Sequence, residues 1–148
     1  RVRRKELEAA PAYEIEVSVM IVEPDPRIRG ALLPALASIG CRVVAFASPV
    51  QAEPHVRHEG YNVLVARAAV IESNPHWRGL ALGAVPLGAI AIAADGDRDV
   101  RVRAAYLGAR GVFEPPFEAE RVAAEFRLAL AIMRDEMRRR STVPAPPK

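Results

Sequence analysis

The chain has 148 residues, 51% of them hydrophobic and 26% charged, with a net charge of +3. This composition excludes disordered and fibrous chains, and the length allows one domain with a proper core but hardly two. No apolar stretch reaches the roughly 18 residues of a membrane span. The longest candidate, around Gly79 to Ala94, is broken by Gly83, Pro86 and Gly88.

The single cysteine, Cys41, rules out an internal disulfide and a multi-cysteine metal site, and it fits a reducing cytoplasm. The pI of about 9.5 comes mostly from arginine, and so small a net charge does not argue for nucleic acid. The start, "RVRRKELEAA", lacks an initiator Met and an apolar core, so it is not read as a signal peptide. Beginning on Arg and ending on "STVPAPPK", the chain reads as a piece of something longer or a processed product.

Residues 1–14 form a charged N-terminal extension with a helical tint that Pro11 ends. From Ile15 to Val22 a β-branched run predicts a first strand. "EPDP" is a turn, with Pro26 suited to a helix's first turn, and Ile28, Leu32, Leu33, Leu36 and Ile39 recur at helical spacing up to Gly40. Cys41 to Ala47 predicts a second strand, and Pro49 to Glu59 a short helix despite Pro54. "YNVLVA" (Tyr61 to Ala66) predicts a third strand, and its apolar core is the pattern of a strand buried on both faces. "SNPHWRGL" should begin a segment with a short or irregular third helix. Leu87 to Ala94 is a fourth strand, Asp99 to Leu107 a fourth helix, and Val112 to Glu114 a short fifth strand.

The last helix, Glu118 to Arg139, is the best specified. Val122, Phe126, Leu130, Met133 and Met137 form one apolar stripe. Glu118 and Glu120 open the helix, and Arg134, Arg138, Arg139 and Arg140 crowd its end, as the macrodipole favours. Strands alternating with helices in short units predict an α/β domain: a doubly wound, five-stranded parallel sheet. That domain should span residues 15–131. Residues 132–148 would then hold the overhanging end of the last helix and a Pro-rich tail.

The order and spacing of these parts resemble the receiver domain of bacterial two-component response regulators. The resemblance covers roughly Val17 to Leu130 and rests on "VMIVEPDPRIRGALLPALASIGCRVVAFAS", "YNVLVAR" and "GAIAIAADGDRDVRVRAAYLGARGVFEPPF". It implies a flavodoxin-like, receiver-like fold with an extended C-terminal helix. It also implies a site: an acidic pair for Mg²⁺, a phospho-acceptor Asp after the third strand, a hydroxyl after the fourth, a Lys after the fifth and an aromatic switch. Here the acidic pair falls on Glu23 and Pro24, the acceptor on Arg67, the hydroxyl on Ala93, the aromatic on Val112 and the Lys on Pro115. Only Glu23 keeps its chemical character. A hard cation needs oxygen ligands and phosphoryl transfer needs a carboxylate nucleophile, so the pattern implies a pseudo-receiver with no metal, cofactor or catalytic residue. Asp25, with Asp95 or Asp97, is the only rescue for a metal, and turn and cap roles account for all three.

Arg67 then has two readings: a guanidinium paired with Glu23 or Asp25 in the degenerate pocket, or a side chain turned to solvent. The resemblance also implies a cis peptide between Pro115 and Pro116. His55 and His58 stand at i, i+3 but read as a solvated helix face. Trp77 packs at the sheet edge or anchors an interface. Arg98, Arg101, Arg103 and Arg110 read as a solvated face, with a partner-facing or nucleic-acid-facing patch as the alternative that Asp97 and Asp99 weaken. Cys41 reads as a small buried residue. The overhanging helix leaves Ile132, Met133 and Met137 with little to cover them, which points to a coiled coil or dimer interface. Dimerisation through the fourth helix, fifth strand and fifth helix, a surface common in receivers, makes Arg101, Tyr106, Val122, Phe126, Met133 and Met137 the interface candidates. The function expected is that of a protein-interaction or dimerisation module in bacterial signal transduction or transcription regulation. The alternatives are a small-molecule (anion) sensor using the vacated pocket, or a residual phospho-acceptor.

Overall fold

Three nearly continuous apolar runs become strands buried along their length. In a computed structural model, which describes residues 16–56, 60–73, 87–93 and 99–142, these are β1 (Ser18–Val22), β3 (Val63–Arg67) and β4 (Gly88–Ile92). With β2 (Arg42–Phe46) and β5 (Val112–Phe113) they make one parallel sheet in the order β2-β1-β3-β4-β5. The register aligns Met20 with Val44 on one side and with Leu64 on the other. The expected fold is therefore the observed one. β3 runs one residue further than expected, pairing Arg67 with Ile92.

Side chains on a strand alternate between faces, and each face of this sheet has its own cover. Val19, Ile21, Val65, Ile90 and Phe113 point to the side covered by α1 (Pro26–Ala37) and α5 (Ala119–Thr142). Met20, Leu64, Ala66 and Ala89 point to the other side, against α2 (Pro49–Val56) and α3 (Ala68–Ser73). There Ala91, Ala93 and Val112 meet Val100 and Ala104 of α4 (Val100–Tyr106). None of the described helices is long and apolar enough to cross a membrane.

Local chemistry explains the element ends. Asp25 caps α1 by accepting the Arg27 N–H, and Pro26 occupies the first turn, where its missing N–H costs nothing. Gly40, at φ +90°, ends the turn after α1, a conformation that glycine adopts without a Cβ clash. A short helix that the sequence did not announce starts at Ala68, directly after β3, and buries Ala68 and Ile71 at i, i+3. Residues 74–86, where the sequence places the third helix and Trp77, lie outside the described residues, as do residues 1–14, His58, Asp95, Asp97, Arg98 and the tail.

α5 forces a second correction. Val122, Phe126, Met133 and Met137 are not surface residues: all four are buried against the sheet. Fully burying an aliphatic or aromatic side chain contributes about 1.5–3 kcal/mol, so this stripe is core. Met133 reaches the sheet because Gly88 leaves room; a Cβ there would lie 3.1 Å from the Met133 methyl. The helix runs 24 residues, about 36 Å, and the sheet side of it stays covered as far as Met137. What α5 exposes instead is Leu128, at 60%, and Ile132. At the margin of the sheet, the Val112 N–H of β5 donates to Glu125 Oε1 of α5 at 3.1 Å. Cys41 is half-buried beside the core, and burial pushes its thiol pKa up.

Candidate functional site

β1 and β3 are adjacent, and the chain leaves β1 toward one side of the sheet and returns to β3 on the other. The crevice beyond their carboxyl ends is where ligands bind in open α/β sheets. Two residues occupy it: Glu23, one position past β1, and Arg67, the last residue of β3.

Glu23 has no exposed surface. Its carboxylate is held from two directions. Arg67 donates through Nε to Oε1 at 2.8 Å and through Nη2 to Oε2 at 2.9 Å, a two-pronged planar contact. The Asp25 N–H donates to Oε2 at 2.7 Å. A buried carboxylate left alone would be very costly, and these three donors satisfy it. The Glu23 hydrogen bonds raise the pKa of Arg67, so its guanidinium stays charged. Of the two readings of Arg67, the paired one holds, with Glu23 as the partner.

The surrounding loop is fixed by backbone contacts. The Glu23 N–H donates to the Phe46 carbonyl at 2.9 Å, and Arg29 Nη1 donates to the carbonyls of Glu23 at 2.7 Å and Pro24 at 3.1 Å. Asp25 turns its carboxylate to the start of α1, and the Arg27 N–H holds its pKa below the ordinary carboxylate value. The Pro115-Pro116 peptide is cis, as expected, and Phe117 follows at φ +56°. Asp25, Arg67, Pro115 and Phe117 line an open cleft of about 340 Å³ with Arg27 and Ile28.

The structure thus brings Glu23, Asp25, Arg67 and Pro115 together, with Pro24 exposed beside them. Ala93 and Val112 are packed under α4 and do not line the cleft. The residues present do not fit a Mg²⁺ site. One acid offers both its oxygens to a guanidinium, a second position is proline, and the third is the guanidinium itself. Among the described residues no three His, Cys, Asp or Glu side chains converge on a point. Sequence reasoning missed Arg29, although "DPRIR" placed it one helical turn from the crevice. The arginines on and near α4 have acidic neighbours: Arg101 with Glu114 at 2.8 Å, Arg103 with Glu72 at 3.4 Å, and Arg110 with Glu136 at 2.6 Å. His55 packs its ring near Phe46, 4.8 Å between centroids.

Strand order, helix placement and crevice together are those of a receiver-type, flavodoxin-like domain. A response regulator from Thermotoga maritima matches with a TM-score of 0.66 at 16% identity, over 79% of this chain and 99% of that one. A response regulator receiver protein from Burkholderia phymatum matches at 0.60 and 25% identity, over 78% and 96%. Full-length FixJ from B. japonicum matches at 0.65 and 20% identity, over 82% of this chain and 61% of that one. No protein-family model matches the sequence, and no curated protein matches it significantly.

Proposed function

We propose that this is a receiver-type domain that does not accept a phosphoryl group and works through protein contacts in bacterial signal transduction or transcription regulation. The observation that carries this reading is the Glu23–Arg67 pair. The strand end where a carboxylate nucleophile belongs holds a cation, and that cation occupies the acid that would bind the metal. The partner is a second copy of the chain or another regulator protein, met in the cytoplasm through α4, β5 and α5. Burial moves the centre of that surface away from the α5 stripe. Its apolar residues are Val102 at 59%, Tyr106 at 89%, Leu128 and Ile132, with Arg101 beside them. An output domain in the full-length protein belongs to the same reading. The cleft beside Arg67 supports a second reading, a small-molecule sensor.

The test is incubation with acetyl phosphate and Mg²⁺ followed by intact-mass measurement, with native mass spectrometry and light scattering on the untreated protein. No phosphoryl gain together with a concentration-dependent dimer is the expected result. A stable phosphoryl adduct sinks the proposal, and a retained small molecule shifts it to the sensor.

A further inference from the structure

Along a parallel strand the N–H and C=O of one residue point to the same side, and successive residues alternate sides. The Arg42 N–H donates to the Val17 carbonyl and the Phe46 carbonyl accepts from Glu23, so Arg42, Val44 and Phe46 turn toward β1. Val43 and Ala45 therefore turn their N–H and C=O groups outward, where the sheet has no further strand. Among the described residues nothing bonds to these four groups. The next outward N–H, that of Ala47, is already held by Gln51 Oε1 at 3.2 Å. The open row is thus two residues long.

Edge strands are normally guarded by charge or proline, and this one is not. Val43, Val44, Ala45 and Phe46 are half-buried apolar residues packed on the two faces of the core. The one charged residue of β2, Arg42, turns away across the end of the sheet. Its Nε donates to Ser18 Oγ at 3.2 Å, its Nη2 donates to the Gly60 carbonyl at 3.3 Å, and its guanidinium lies 5.3 Å from the Tyr61 ring centroid.

We propose that the open edge of β2 pairs antiparallel with the same edge of a second copy, about a two-fold axis at Val44, and joins two five-stranded sheets into one of ten. In that register Val43 of each copy faces Ala45 of the other, and each facing pair exchanges two hydrogen bonds. All four open groups of each copy are then satisfied, with none left over. Like charges stay apart, because Arg42 of one copy lies beside Phe46 of the other. The two arginines stand four residues apart along the strands, about 14 Å, beyond the screening length at physiological salt. A loose peptide makes the same bonds only after it has been ordered, at an entropic cost for each residue, whereas a second β2 is already built. A two-fold contact uses the edge on both sides and so closes at two copies. The pairing goes beyond the α4–β5–α5 reading and leaves that surface free for another regulator protein.

The first test needs no substitution. Amide hydrogen exchange at Val43 and Ala45 should slow by about tenfold from dilute to concentrated protein, while Val44 and Phe46, bonded to β1, change less. The second uses Ala45→Pro, since proline is tolerated on an edge strand where the missing N–H faces outward. It should abolish the dimer in light scattering with the far-UV circular dichroism unchanged. Tyr106→Glu, at a site 89% exposed on α4, should leave the dimer intact. Exchange at Val43 and Ala45 that ignores concentration, a monomer at every concentration, or a dimer that survives in folded Ala45→Pro would each overturn the proposal. Loss of the dimer in Tyr106→Glu alone also overturns it, and assigns the contact to the α4–β5–α5 surface instead.

Discussion

The two ends of the sheet are fastened in opposite ways. At the amino end the fastener is neutral. Asn62, almost fully buried, accepts the Ser18 N–H on Oδ1 at 2.8 Å and donates through Nδ2 to the Glu16 carbonyl at 2.8 Å. Its own carbonyl accepts from Leu87 and Gly88, so one residue ties the starts of β1, β3 and β4. At the carboxyl end the fastener is an ion pair, Glu23 with Arg67. The amino-end clamp satisfies backbone groups with a neutral side chain. The carboxyl end is where an α/β sheet does its chemistry, and there the satisfied arrangement takes up the groups that chemistry would use.

Breaking each fastener should tell them apart. Arg67→Ala strands a buried carboxylate. Breaking such a pair costs about 3–5 kcal/mol when fully buried, and because Arg67 is one-third exposed we expect about 2–3 kcal/mol after allowing for solvent screening. Urea unfolding at unchanged slope measures it. Arg67→Leu with Glu23→Leu should lose less than either single change, since no lone charge remains.

Asn62→Ala should rank second, at about 1–3 kcal/mol, because it leaves a buried N–H and a carbonyl without their partners. Unlike the ion pair, this loss should be indifferent to added salt. A salt-sensitive Asn62→Ala would erase the contrast between the two ends.

The smallest effect belongs to Asp25, beside the ion pair. The Arg27 N–H lowers its pKa, so its contribution is complete above the ordinary carboxylate range and is lost as the pH falls through the lowered value. Asn also caps helices well. Wild type should therefore exceed Asp25→Asn by a small margin in thermal melts at pH 7, and the two should converge in acid.

Much of this architecture is legible in the sequence alone. Runs such as "VLVA" have one stable placement in a parallel sheet, and "PDPRIR" announces a capped helix. Arg67 and Glu23 were legible as a pair only because the strand order places the ends of β1 and β3 side by side. The covering of Met133 and Met137 was not legible. A stripe states which side of a helix is apolar, but not how far the sheet beneath it extends, and Gly88 makes that close approach possible. Asn62 gave no signal either, since an amide before a strand is as often a turn residue as a clamp. α3 carries no signal of its own because "AAVIES" continues an apolar run, and periodicity over six residues does not separate helix from strand.

Glu125 has a consequence for how copies of this chain can meet. The Val112 N–H belongs to the last strand of the sheet, and an open row of such groups invites another chain to pair. With Glu125 seated on it at 3.1 Å, that margin is hemmed, and a newcomer would have to dislodge a carboxylate before it could add a strand. Association on this side is left to side chains on the flanking helices, where it can be reversed one surface residue at a time without the sheet becoming a template for growth.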